Sequence, residues 1–243
     1  MAHGMRWLGP PGSAIHFPDP ASALDWPNGL LAAGGDLSVP RLLAAYRQGI
    51  FPWYESGQPI LWWSPDPRAV ILPDEFHVAR RLRRFLAGQP FTGSFDRDFA
   101  AVVRGCARLD DPDVGTWITP DMMAAYAQLH AEGHAHSVEV WSGDTLVGGL
   151  YGVALGRVFF AESMFSRQPN ASKAAMVLLV RELRRREFVV IDCQLPSKHL
   201  SSMGAREMSR REFLALLAAG VDDDVSAAAR WSPEQHPILP GEG

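Results

Sequence analysis

Cysteine is nearly absent, with Cys106 and Cys193 the only two in 243 residues. Standing in unrelated surroundings, they are too few for a disulfide scaffold or a thiolate metal site, and both read as small buried hydrophobes. Long apolar runs are lacking as well. Ala174 to Val180 falls far short of the roughly 20 residues that span a bilayer, and the N-terminus has no charged-then-apolar leader. A soluble, cytoplasmic chain that avoids membranes is expected. Positive charge is not in excess. A formal net charge of −4 excludes non-specific coating of nucleic acid, which needs a broad surplus of Lys and Arg, but leaves room for a local basic patch. No G-x-S-x-G elbow and no Walker loop occurs, which disfavours the commonest hydrolase and nucleotide-hydrolase chemistries.

What is present is a chain 47% hydrophobic, enough for one large domain with a small satellite. The first sixty or so residues are rich in Pro, Gly and Trp, with a helix expected over Val39 to Gln48, closed by Gly49. Longer elements follow: a strand near Ala69 to Leu72, helices near Phe76 to Leu86 and Phe95 to Cys106, and a loop over Asp110 to Gly115. Thr119 caps and Pro120 opens a helix to about His130, since proline has no amide to lose at that position. Three strand-like runs, Ala135 to Trp141, Thr145 to Val153 and Arg157 to Phe165, predict an antiparallel meander. A helix over Ser172 to Arg186, a strand over Phe188 to Gln194 and a helix over Ser209 to Ala219 with a Ser209/Glu212 capping box complete the order. The expected class is α+β.

Two carboxylates inside apolar strands are the most informative residues, because burying a charge is costly unless something compensates it. Strict alternation places Phe160, Glu162 and Met164 on one face, with Phe159, Ala161, Ser163 and Phe165 on the other. Asp192 ends the run Phe188 to Ile191. Each is either a carboxylate satisfied internally, by backbone amides at a bulge or by an arginine, or part of a functional pair on neighbouring strands. His130, His134 and His136 fall on a helix end, a turn and a strand start, and Asp110, Asp111 and Asp113 lack calcium-loop spacing, so no metal site is expected. Arg80, Arg81, Arg83 and Arg84 form one basic cluster and Arg181, Arg184, Arg185 and Arg186 another. Each fits a phosphate backbone or a solvated face balanced by Glu182 and Glu187. The aromatics of Tyr46 to Trp63, with Trp117 and Tyr126, fit either core packing or the stacking of an unpaired base.

The segments PNGLLAAGGDLSVPRLLAAYRQGIFPW, ILWWSPDPRAV, GTWITPDM, HAHSVEVW, LVGGLYGVALG, FFAESMFS, NASKAA, IDCQ and HLSSMGA lie between Pro27 and Ala205. Through them the chain resembles the leucyl/phenylalanyl-tRNA-protein transferase family over roughly Phe17 to Leu217. The resemblance implies a small N-terminal domain, residues 1–62, and a GNAT-like acyltransferase domain, residues 63–243, with a mostly antiparallel sheet flanked by helices. It implies transfer of Leu, Phe or Met from aminoacyl-tRNA to the N-terminal amine of proteins beginning with Arg or Lys, marking them for N-degron degradation. A monomer without cofactor or metal is expected. Carried over by motif, Leu150, Phe159 and Met164 form the donor side-chain pocket with Glu162 beside it. Tyr46, Trp53, Trp117 and Tyr126 lie near the terminal adenosine, and Asp192 and Gln194 carry the chemistry. Leu150 stands where Met is familiar, and Ala161 where Gly precedes the Glu. The turn Ser166 to Ser172 has no glycine to cradle a pyrophosphate, which speaks against acetyl-CoA as donor.

A tRNA ester is already activated, so alignment and one proton transfer are the main demands. Asp192 is therefore expected to orient or deprotonate the incoming amine, Gln194 to position it or relay its proton, and Glu162 to receive the donor's α-ammonium.

Overall fold

The computed structural model describes residues 5–108, 116–221 and 231–239; the expected loop of Asp110 to Gly115 lies outside them. Near the N-terminus, strands Arg6–Leu8 (β1), Leu30–Gly34 (β2), Phe51–Pro52 (β3) and Leu61–Trp63 (β4) form a small sheet in the order β1-β2-β4-β3, with helix Val39–Tyr46 (α1) between its second and third strands. The boundary expected after residue 62 falls inside β4.

The large sheet contains Arg68–Ile71 (β5), Thr92–Phe95 (β6), Ala135–Ser142 (β7), Thr145–Leu155 (β8), Val158–Ser166 (β9), Val190–Gln194 (β10), Arg206–Met208 (β11) and His236–Pro237 (β12). Their order is β11-β5-β10-β9-β8-β7-β6-β12. Among the described residues the β9–β10 pair is the sheet's only parallel neighbour pair. The fold is thus mixed α/β with a mostly antiparallel sheet, and the expected meander is β7-β8-β9. Helices Phe99–Ala107 (α3) and Pro120–Ala131 (α4) pack into one core cluster together with α1, while Arg80–Ala87 (α2) and Ala171–Arg185 (α5) pack into the other. Lys198–Ser201 (α6) and Arg210–Val221 (α7) follow the last long strand.

Local chemistry sets the helix starts. Thr119 Oγ1 accepts the Met122 amide at 3.3 Å, and Ser209 and Glu212 exchange hydrogen bonds, the Ser209 amide to Glu212 Oε2 at 2.9 Å and the Glu212 amide to Ser209 Oγ at 3.2 Å. Two expected helices begin later than the apolar pattern indicates. The one expected from Phe95 starts at Phe99, because Asp96 takes a left-handed backbone with φ 53° and Asp98 Oδ1 caps the Ala101 amide. Phe95 instead ends a strand, Thr92–Phe95, for which no element is expected from the sequence. The one expected from Phe76 starts at Arg80, after a short turn at Pro73–Glu75 and a hydrogen bond from the His77 amide to Met203 O.

The structure breaks the alternation of β9. Opposite it on β8, Tyr151 pairs with Ser163 while Gly152 pairs with Ala161, leaving Glu162 as the extra residue of a β-bulge. Phe160 and Phe165 consequently share one core cluster, and Met164 packs with Phe159 in the other. The expected grouping of Phe160 with Met164 is overturned because a bulge turns two consecutive side chains to the same side. A Cβ on Gly152 would stand 2.2 Å from Phe160 O and 2.6 Å from the Phe159 ring. Gly152→Ala is expected to destabilise the chain by about 1–3 kcal/mol; an unchanged urea midpoint would show that the bulge can relax.

Candidate active site

Parallel pairing of β9 with β10 ends at Asp192 opposite Phe160. Beyond that point β9 stays with β8, while β10 bulges against β5, with Asp192 opposite Val70, Gln194 opposite Ala69, and Gln194 at φ 62°. The strands separate, and Glu162 and Gln194 face each other across the opening, Gln194 Nε2 donating to Glu162 Oε1 at 3.2 Å.

Two cavities meet there. One, of 260 Å³, is lined by Leu150, Met164 and Leu200, with Ser197 and His199 at its rim. The other, of 220 Å³, is lined by Trp53 and Trp117 together with Phe51 and Leu195. Glu162, Cys193 and Gln194 belong to both. The first has an apolar body with a few polar groups, as a side-chain pocket requires; the second presents indole surface, with Trp53 41% exposed.

Glu162 is 8% exposed. Its Oε1 accepts from the Tyr46 hydroxyl at 2.7 Å and its Oε2 from the Tyr126 hydroxyl at 2.6 Å. Burial raises the Glu162 carboxyl to about 7, the two phenols working against that rise and the nearby Asp192 charge adding to it. Tyr46, Tyr126 and the neighbouring Tyr151 are fully buried, and burial holds all three phenols well above their ordinary range.

Asp192 lines neither cavity. It is 0% exposed, and Arg68 grips it in a fork, Nε to Oδ1 at 2.8 Å and Nη2 to Oδ2 at 2.6 Å. The guanidinium lies 4.8 Å from the Phe51 ring centre and 4.6 Å from that of Phe213. Oδ1 also accepts the Gln194 amide at 2.9 Å. Asp192 thus offers no surface to either cavity; what it holds is the backbone of Gln194, at the left-handed turn from which that side chain reaches Glu162.

Other expected residues are redistributed. Trp53 and Trp117 face the second cavity, but Tyr46 and Tyr126 have no surface on which a base could stack, and act through their hydroxyls. Leu150 and Met164 line the first cavity. Phe159 does not: it is fully buried beneath, its ring 6.2 Å from that of Trp231. Sequence reasoning misses Arg68, whose only local sign is a cation at the head of an apolar strand, and His199, Ser197 and Cys193. It also misses Glu139, a third buried strand carboxylate, held by Ser94 and Ser137 hydroxyls at 2.7 and 2.6 Å. His130 engages Ala135 O and stacks on Phe99, while His136 engages Asp96 and stacks on Trp231. The two basic clusters diverge. Glu182 pairs with Arg185 and Arg186, both at 2.6 Å; among the described residues no acid pairs with the exposed Arg80, Arg81, Arg83 and Arg84 of α2.

The family model described as leucyl/phenylalanyl-tRNA protein transferase matches residues 70–218, and that of its N-terminal domain matches residues 35–66. The chain is 56% identical over 218 residues to the leucyl/phenylalanyl-tRNA–protein transferase of Azotobacter vinelandii, covering 90% of this chain and 96% of the relative. With the protein of that name from Pseudomonas aeruginosa (strain LESB58) it shares 61% over 209 residues, covering 86% and 92%. Among solved structures, that of L-PGS from Bacillus licheniformis aligns over 70% of this chain and 57% of its own at 9% identity and a TM-score of 0.39, too loosely to bear on fold or activity.

Proposed function

The chain belongs to the leucyl/phenylalanyl-tRNA protein transferase family, and from that premise we propose that it moves Leu, Phe or Met from aminoacyl-tRNA onto the N-terminal amine of proteins beginning with Arg or Lys. The observation that carries the reading is Glu162 at the junction of an apolar and an aromatic cavity. In this reading the terminal adenosine lies against Trp53 and Trp117, the donor side chain enters between Leu150 and Met164, and the α-ammonium meets Glu162. The ester carbonyl then sits beside Gln194, which positions the attacking amine, and Asp192 acts on Gln194 as a positioning residue. Selection by size and apolarity alone suits Leu, Phe and Met, since one methylene changes such binding by about 1–3 kcal/mol. We read the chain from Arg68, where the large sheet begins, as a GNAT-like catalytic domain behind a small N-terminal domain, and the exposed arginines of α2 as its contact with tRNA phosphates.

Mixed with Leu-tRNA and an Arg-initiated peptide, the chain is expected to raise the peptide's mass by one leucyl residue. Tight tRNA binding with no mass gain would reduce it to an acceptor-end binding module. In the same assay Trp53→Ala is expected to weaken donor binding by about 1–3 kcal/mol, the worth of one stacked base, with an unchanged urea midpoint.

A further inference from the structure

Tyr46, Tyr126 and Glu162 close a ring of three short oxygen contacts: 2.7 Å and 2.6 Å from the phenols to the two carboxyl oxygens, and 2.6 Å between the phenols themselves. Distances of this kind are those of O–H···O hydrogen bonds, and each bond needs one hydrogen. A phenol supplies one hydrogen, so two tyrosines supply two. An unprotonated contact at that separation would set lone pair against lone pair between two phenols that are both fully buried. The third hydrogen belongs on the carboxyl group: Glu162 donates to one phenol, that phenol to the other, and the last back to the second carboxyl oxygen.

The charged and titratable surroundings agree. Tyr46 reaches the carboxyl from α1, Tyr126 from α4, Tyr151 flanks it from β8, and Cys193, Gln194 and Asp192 approach from β10, with His199 of α6 across the larger cavity. No cation compensates Glu162 among the described residues, because Arg68 is spent on Asp192. Of the ring's three members only Glu162 lines a cavity.

Building on the proposed transfer, we infer that Glu162 stands as a carboxylic acid in the empty enzyme and gives up its proton when the donor's α-amine docks, with Tyr46 and Tyr126 as the positioning residues that hold that proton. Where the amine arrives neutral, one O–H bond of Glu162 breaks and one N–H bond forms; where it arrives as the ammonium, the Glu162 proton passes to solvent, and either way a carboxylate faces an ammonium. Both phenol hydrogens then point at the carboxylate, and the contact between the tyrosines opens. Two consequences serve the reaction. The donor's own amine is silenced as a nucleophile, so that it cannot compete with the acceptor, and the adjacent positive charge draws electrons from the ester carbonyl.

The test is calorimetry on the full chain with an amide-linked leucyl-adenosine, in buffers of different ionisation enthalpy at pH 6.5. Glu162 with a midpoint of about 7 and an α-amine with one near 7.7 are both mostly protonated there, and the ion pair keeps one proton. Binding is therefore expected to release roughly 0.7 protons. Glu162→Gln should release none, and Tyr46→Phe should move the midpoint of release to higher pH, because it removes a donor to the carboxylate. Binding by the wild-type chain without proton release overturns the inference while leaving the proposed transfer intact. A chain that neither binds the analogue nor transfers leucine defeats the transfer reading itself. The ring is then judged without ligand: an infrared difference spectrum between wild type and Glu162→Gln at pH 6.5 must show a carboxylic-acid carbonyl band, and its absence overturns the inference.

Discussion

Arg68→Ala is expected to cost about 3–5 kcal/mol in urea denaturation, because it leaves the Asp192 carboxylate buried with no counter-ion. Against a typical total of about 5–15 kcal/mol, that is between about a fifth of the stability and all of it. Asp192 has nowhere to turn. It is fully buried on the strand beside β9, and its remaining hydrogen-bond donor is one backbone amide, that of Gln194. The lost guanidinium also empties the space between Phe51 and Phe213. The joint variant Arg68→Met with Asp192→Leu should recover much of the stability, since removing both charges leaves none stranded. It should not recover transfer, because Gln194 loses the acceptor that fixes its turn. A loss below about 1 kcal/mol in Arg68→Ala would show that water reaches Asp192 and that the pair is not structural.

Glu162→Gln is expected to do the opposite, stabilising the fold while lowering transfer. The carboxyl rises from an ordinary 4.5 to about 7 in the folded chain. Below pH 4.5 it is neutral in both states and carries no penalty. As pH rises the unfolded chain ionises first, so folding stability falls until the folded carboxyl has also ionised, above about 7. Two and a half units correspond to about 3 kcal/mol as an order of magnitude. The amide that replaces the carboxyl in this variant does not ionise. The stability difference between variant and wild type should therefore grow in the variant's favour between pH 4.5 and 8, while kcat/KM falls roughly 10- to 100-fold with the loss of a charged hydrogen bond. A difference that stays flat with pH would mean that solvent reaches the carboxyl freely.

The sheet's centre is legible in the sequence because its signals are local. Alternating apolar residues separated by Ser142-Gly143-Asp144 announce β7, β8 and β9, and the caps at Thr119 and Ser209 need only four residues each. Glu162 and Asp192 stand out because a carboxylate among strand hydrophobes demands a partner. The partner itself is illegible, since Arg68 and Asp192 are 124 residues apart. The bulge is illegible too: an extra residue in β9 looks like its neighbours until β8 is laid beside it. Tyr46 and Tyr126 read as flat surfaces near adenosine, because residue type cannot show which end of a tyrosine is presented. The strand Thr92–Phe95 escapes notice beside the helix that follows it, its glycine and serine giving it little strand character.

The bulge in β9 carries one more meaning. A ladder without the extra residue would keep every backbone group paired and would turn each side chain to the opposite side from the last. Glu162 and Ser163 would then lie on opposite faces of a continuous wall. The opening lies where two ladders each slip by one residue, β9 against β8 at Glu162 and β10 against β5 at Cys193. Chemistry here occupies an arithmetic mismatch, so an insertion or deletion anywhere between Gly152 and Met164 threatens the site even where every named side chain survives.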